Sequence, residues 1–243
     1  MIASRRYENE VSMIVAVDHS GGYANGRDIP WSFKADWTHF KKITKGNICI
    51  MGRGTYDDIA GRRKEKSPNF EVILPGRTSY VISETRSKVQ GATVFPSVGQ
   101  CISSLPTDDR EIFILGGRRL WVQYLPKAKQ IWMTIVPGQY KTNKKFPIEL
   151  LTDYEITEGY KEPVGDDELM FVKYVRKVDY YSVQFPMGQH GQQLAEQLKR
   201  SHRLIKEEPQ ISKVTFIEPF QSELKFIKQV GGQLTIRKGL AIE

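Results

Sequence analysis

The chain has 243 residues, 40% of them hydrophobic and 26% charged, with a net charge of +8. These proportions exclude disordered, collagen-like and mucin-like classes and suit one or two globular domains. No run of about 18 apolar residues occurs, so no transmembrane helix is expected. The opening MIASRRYENE lacks the apolar stretch of a secretory leader, so a cytoplasmic protein is expected. Two distant cysteines, Cys49 and Cys101, and four scattered histidines, His19, His39, His190 and His202, predict no disulfide scaffold and no metal. The basic excess is spread along the chain, which fits an anionic small molecule as well as it fits nucleic acid.

Val11–Val17 (VSMIVAV) is a nearly continuous apolar run, which predicts a strand buried on both faces. A glycine-rich turn, DHSGGYANGRD, and then Ile29-Pro30-Trp31 follow. The spacing of Trp37, Phe40, Lys41 and Thr44 predicts a helix over Lys34–Thr44 that turns this face inward, with Gly46 just past its end. Asn47–Met51 reads as a strand, Gly52–Thr55 as a turn and Tyr56–Ile59 as a short helix. Ala60–Pro75 opens on Arg62-Arg63-Lys64-Glu65-Lys66 and reads as an exposed loop.

Further strands are predicted at Thr78–Ser83, Thr93–Phe95, Glu111–Leu115, Gln130–Val136 and Phe171–Arg176, with a helix over Arg118–Leu125. Alternating strands and helices argue an α/β fold: a mostly parallel central sheet with helices on both faces. The pattern restarts near residue 178. Strands at Tyr181–Phe185, Val214–Ile217 and Leu234–Ile236 and helices at Gln189–Ile205 and Leu224–Val230 predict a small β-α-β-α-β domain. The expected division is therefore 1–177 and 178–243.

In an open sheet, ligands bind beyond the carboxyl ends of the strands. Two glycine-containing turns lie there, Gly52-Arg53-Gly54-Thr55 and Gly116-Gly117. Together they suit a pyrophosphate-bearing dinucleotide, although no GxGxxG is present. Asp36 opens a helix beside Trp37 and Phe40. A carboxylate there either complements the helix dipole or accepts two parallel N–H bonds from a flat, amidine-like ring.

The order VSMIVAV, DIPW-x4-D, IMGR-x-TY, LPGR, IFILGG, YLPKA and IWMT resembles dihydrofolate reductase over residues 11–177. The resemblance implies NADPH-dependent reduction of dihydrofolate. Asp36 would be the active-site acid, with Thr134 orienting it. Trp31, also counted as catalytic, would belong with Ile29 to the mobile loop that closes over the nicotinamide. Ile14, Val15, Ala16, Trp37, Phe40, Ile59 and Leu115 would line the pterin and aminobenzoyl site, and Arg77 would grip the glutamate carboxylate. Ala16, Ile29, Gly52, Arg53, Gly54, Thr55, Ser83, Gly116, Gly117, Arg118, Arg119, Leu120 and Trp121 would hold the cofactor. Glu84, next to Ser83, would repel a 2′-phosphate unless Arg53, Arg86 or Arg119 compensates.

Two rival readings are a pyrimidine reductase of riboflavin synthesis and a catalytically inert interaction protein on the same fold. Pro30-Trp31 through Asp36, with Thr134 and Arg77, fits a pterin-glutamate better than a ribityl phosphate. The basic run Arg62–Lys66 is either a solvated face or a contact for polyglutamyl tails. Residues 178–243 resemble nothing in the family. Their Lys199, Arg203 and Lys206 share a face, but without interleaved aromatic residues nucleic acid is not expected. Apolar faces in so small a unit are expected to pack on the reductase body, a second copy or another protein.

Overall fold

The computed structural model describes residues 11–26, 28–184, 204–208, 213–217 and 233–240, with backbone alone from 179 onward. It divides into two units, Met1–Val175 and Arg176–Glu243.

In the first unit the apolar run Val11–Val17 is β1, at the centre of a sheet. Parallel neighbours flank it on both sides: β6 (Ile112–Gly116) and β7 (Gln130–Ile135). Beyond β6 lie β3 (Ile48–Gly52), β4 (Thr78–Ile82) and β5 (Thr93–Phe95), each parallel to the last. Beyond β7 the first half of β10 (Asp167–Gln184) runs antiparallel, and β9 (Tyr154–Val164) pairs with it at the edge. Two shorter strands, β2 (Gly22–Ala24) and β8 (Lys144–Lys145), form a separate antiparallel pair.

Alternation along β1 divides the core. Val11, Met13, Val15 and Val17 pack with α3 (Val98–Ser104) and α4 (Arg118–Tyr124). Ile14 faces the other way, towards Tyr56 and Ala60 of α2 (Arg53–Lys66) and Phe40 and Ile43 of α1 (Lys34–Thr44). The expected mostly parallel sheet with helices on both faces is what the first unit contains.

Several expectations need correction. The predicted short helix Tyr56–Ile59 is a 14-residue helix, and Arg62–Lys66 are its last turns. Arg, Lys and Glu are good helix formers, and cations at a helix C-terminus complement its dipole. The remainder of the supposed loop is not all exposed either, because Phe70 and Ile73 are buried. On α1, Trp37 is 38% exposed, whereas His39 and Thr44 are the buried residues. The glycine-rich turn contains β2, whose partner β8 lies some 120 positions away in the chain and leaves no local periodicity to read.

The helix α3 and the edge strand β9 carry no clear signal: α3 is short and β9 is exposed along nearly its whole length. The strands read separately at Phe171–Arg176 and from Tyr181 are one strand, β10, which crosses the boundary between the units.

In the second unit, residues 177–184 of β10 pair antiparallel with β13 (Gln233–Leu240), and 180–184 pair with β12 (Lys213–Ile217). β12 pairs in turn with β11 (Leu204–Glu208). Leu204 and Ile205, expected to end a helix, therefore lie in a strand. The rest of that helix, Gln189–Arg203, and the helix Leu224–Val230 fall outside the described residues. Of Lys199, Arg203 and Lys206, only Lys206 lies within them, in β11.

Candidate active site

Asp36 sits in the first turn of α1, whose N-cap residue Phe33 offers no side-chain bond. Its carboxylate accepts a hydrogen bond from Thr134, near the carboxyl end of β7. In the ladders Thr134 lies opposite Ala16 of β1 and Phe171 of β10. Burial pushes the Asp36 carboxyl above its ordinary range, and the Thr134 bond pulls it back only in part. The pair puts one costly, oriented carboxylate at the carboxyl end of the sheet.

Of the residues expected to line the substrate site, Ile14 and Leu115 are buried and Phe40 and Ile59 partly buried in one cluster, and Trp37 stands edge-on to Phe40 at 6.3 Å. Val15 turns its side chain into the opposite core, so only its backbone can line this side. Trp31 is buried and packs against Tyr140 at 5.1 Å, and its indole Nε1 has no hydrogen-bond partner among the described residues. Ile29 is 36% exposed.

Arg77 is held at three points. Its Nε donates to Thr44 Oγ1 (2.7 Å), Nη1 to the Pro75 carbonyl (2.5 Å) and Nη2 to the Lys41 carbonyl (2.9 Å). Its plane lies 5.5 Å from the Phe40 ring centre. A guanidinium has five N–H groups, so this clamp leaves one on each terminal nitrogen.

The predicted turn Gly52–Thr55 is instead the last residue of β3 and the first turn of α2, and it meets the glycine pair after β6. The Gly116-Gly117 peptide is cis, and Gly116 has φ +133°. A Cβ on Gly116 would lie 2.9 Å from the Trp121 ring and 3.2 Å from Thr55 Oγ1. A Cβ on Gly52 would lie 3.4 Å from the Gly117 nitrogen. At Gly116 both the positive φ and the approach of Trp121 and Thr55 require glycine. Of the other predicted cofactor residues, Arg53, Gly54, Arg118 and Arg119 are exposed, and Leu120 and Trp121 are buried in the core with α4. The Ser83 hydroxyl accepts from the backbone N–H of Thr85 and Arg86, while Glu84 pairs with Arg119 at 3.3 Å.

Three residues near this site escaped the sequence reading. Asp18 is buried at the end of β1 and accepts from Ser20 N, Ser20 Oγ, Gly22 N and Tyr140 N. Burial pushes its carboxyl up, but these bonds outweigh it and hold it below the ordinary range. Asp before a Ser-Gly-Gly turn is a recognisable local-capping signal. His39 and Trp132 carried no such signal. His39 is buried one turn after Asp36, and Trp132 lies two residues before Thr134 on β7.

A family model described as dihydrofolate reductase matches residues 10–176. Dihydrofolate reductase type 3 of Salmonella typhimurium is 32% identical over 157 residues, covering 64% of this chain and 90% of that protein. Dihydrofolate reductase of Bacillus subtilis (strain 168) is 30% identical over 170 residues, covering 67% and 94%. Among solved structures, dihydrofolate reductase from Enterococcus faecalis, complexed with NADP(H), aligns with a TM-score of 0.60. It is 20% identical and covers 70% of this chain and 98% of that one, a likeness of fold.

The raised Asp36 carboxyl has a consequence for stability. A group whose folded pKa lies above its unfolded value favours the fold below the unfolded pKa, and that contribution is lost as pH rises through the folded pKa. Asp36→Asn removes the cost of a buried charge, and Thr134 can still donate to the amide oxygen. The variant is expected to melt above the parent protein at pH 7. The gap should close as pH falls through the raised pKa towards 3.8. Calorimetry across that range checks it, and an equal or lower midpoint at pH 7 would show that burial does not dominate.

Proposed function

The chain belongs to the dihydrofolate reductase family, and from that premise we propose that it reduces 7,8-dihydrofolate to tetrahydrofolate with NADPH. Hydride passes to C6 and a proton reaches N5. The observation that carries this reading is the half-buried Asp36 carboxylate fixed by Thr134.

A carboxylate so held accepts two parallel N–H bonds from the 2-amino group and N3 of the pterin, which orients the ring. Burial raises its affinity for a proton, which favours a role in assisting protonation at N5. The buried, unpartnered Trp31 Nε1 supports an ordered water on this side of the site. Phe40 and the partly exposed Trp37 offer faces for the pterin and aminobenzoyl rings. The two remaining N–H groups of Arg77 suit the glutamate α-carboxylate, and the three-point clamp means the guanidinium loses little freedom on binding.

The residues fit NADPH: the Gly52, Gly116 and Gly117 backbones leave a cradle that any Cβ would fill, with Thr55 Oγ1 beside it. NADPH, when bound, supplies the hydride. Arg63 is already engaged with the Val72 carbonyl and the Phe70 ring, so Arg62, Lys64 and Lys66 are the cations left for a polyglutamyl tail.

A spectrophotometric assay with dihydrofolate and NADPH tests the reading. Asp36→Asn should lower turnover by a factor on the order of 10²–10⁴ at neutral pH while NADPH binding persists. Near-normal turnover would remove Asp36 from its role. Arg77→Leu should weaken dihydrofolate by about 1.5–3 kcal/mol, the scale of a hydrogen bond to a charged group. A pterin lacking the glutamate should bind both proteins equally; if it too is weakened, Arg77 acts through Phe40 and α1 instead.

Among the described strands of the unit from Arg176 onward, β11 and β13 each pair on one side only, and a strand edge can pair with another chain. We propose that this unit mediates association with a second copy or another protein. A protein ending at residue 177 should keep folate reduction and change its mass by light scattering. If turnover is lost while the fold persists, the unit belongs to the active site instead.

A further inference from the structure

His39 has no part in the chemistry proposed above, yet it is a buried histidine one turn beyond the catalytic acid. Its ring lies 4.5 Å from that of Phe171 on β10, with an interplanar angle of 37°, and 6.0 Å from Trp132 on β7. Its Nδ1 is 3.0 Å from the hydroxyl of Tyr160 on β9. Tyr160 in turn stacks on Phe171 at 4.8 Å. Three strands therefore present aromatic groups to one helical side chain.

Phe171 is 1% exposed and pairs in the β7–β10 ladder with Thr134, the residue that hydrogen-bonds Asp36. It also packs in the cluster that holds Trp31, Phe33 and Ala35. A closed circuit results. From Asp36 the backbone of α1 leads one turn to His39. The ring of His39 meets Phe171, the ladder joins Phe171 to Thr134, and the Thr134 hydroxyl returns to Asp36. An i, i+3 pair lies on one side of a helix with Cβ atoms about 5–6 Å apart, so a shift of His39 is also a shift of Asp36.

We propose that His39 is a positioning residue, whose ring fixes α1 against β7 and β10 in the placement that brings the Asp36 carboxylate to Thr134. The proposal rests on the reading of Asp36 as the acid of dihydrofolate reduction. Aromatic pairs of this geometry are modest in energy but narrow in orientation. At this end of α1 Phe33 and Ala35 pack in the cluster of Phe171, the stacking partner of His39, while Trp37 and Thr38 are exposed and Phe33 provides no cap.

Burial and the nearby Lys42 hold the imidazole below the ordinary histidine range, so at neutral pH the ring is uncharged and packs as an aromatic. The groups around it are Asp36 and Lys42 on its own helix, Tyr160 on β9, and Lys173 on β10. Lys173 lies over the Trp132 ring at 4.9 Å and is paired with Glu158 at 2.7 Å.

The test compares the parent protein with His39→Phe, which keeps a stacking ring, and His39→Ala, which removes it. The first readout needs no turnover: titration of the Asp36 carboxyl carbon by NMR in the ligand-free proteins, with the signal assigned through Asp36→Asn. In the parent and in His39→Phe the carboxyl should titrate above the ordinary value of 3.8. In His39→Ala it should move back towards that value, because a displaced helix lets water reach the carboxylate.

The second readout is steady-state kinetics. His39→Ala should lose on the order of 10–100-fold in kcat with dihydrofolate, the cost of a misplacement of about 1 Å, with KM for NADPH unchanged. His39→Phe should restore most of it. A folded His39→Ala protein with an unchanged Asp36 titration overturns the proposal. So does a His39→Phe protein as perturbed as His39→Ala, since the ring would then not be the operative feature. If the parent itself fails to turn over dihydrofolate, the functional reading falls, and the titration still decides whether His39 positions Asp36.

Discussion

A carboxylate taken out of water must be held by something, and in this protein most of the first unit takes part in holding Asp36. Among the described residues, its charge is stabilised by one side-chain hydrogen bond, from Thr134. Thr134 is fixed by two ladders at once, opposite Ala16 on one side and Phe171 on the other. The central apolar strand β1 makes that placement rigid, because both of its faces are packed with side chains. An acid so placed costs stability while it is charged, and the carboxyl is kept above its ordinary range by the same burial. Catalytic sites commonly trade stability for chemistry in this way.

A second constraint comes from the sheet's parallel order. Adjacent parallel strands end side by side, so the turns after β3 and β6 crowd each other. Glycine at Gly116 relieves that crowding, with Thr55 and Trp121 closing around the same point. The result is a backbone surface close to the Asp36 side of the sheet, joined to it by β1. The proposed geometry of hydride transfer needs this, since two flat rings must be brought face to face within a few ångströms.

The features legible in the sequence are those written in local periodicity or in residues with unusual backbone demands. The seven-residue run of β1, the glycine pair after EIFIL and the acid at the head of α1 all announce themselves. The side chain that Thr134 meets could be named only through resemblance, because it depends on a register between β7 and a helix about a hundred residues earlier. His39 was hidden for a related reason. On α1 the spacing puts Trp37 on the inward face with Phe40 and Thr44; those two do pack inward, but Trp37 does not. Trp37 is left exposed, and a histidine fills the buried place because aromatic partners arrive from β7, β9 and β10. The α2 extension failed differently: a run of five charged residues looks like a solvated loop, and it is solvated, but as a helix.

The same locality explains the cofactor end. Read along the chain, Glu84 beside Ser83 threatens a phosphate, and Arg53, Arg86 and Arg119 offer relief. In space two of those arginines already have carboxylate partners. Arg86 pairs with Asp57 at 2.5 Å and Arg119 with Glu84 itself at 3.3 Å. The Arg119–Glu84 pair is highly exposed, so it contributes little energy and breaks readily when a stronger anion arrives. Arg53, exposed at the start of α2 and in no ion pair among the described residues, needs no such exchange. If, as proposed, the 2′-phosphate is held here, its charge of close to two would draw Arg119 from Glu84 and leave Glu84 to turn towards solvent. Discrimination between NADPH and NADH on this reading depends on how easily one surface ion pair rearranges, and less on the number of arginines nearby.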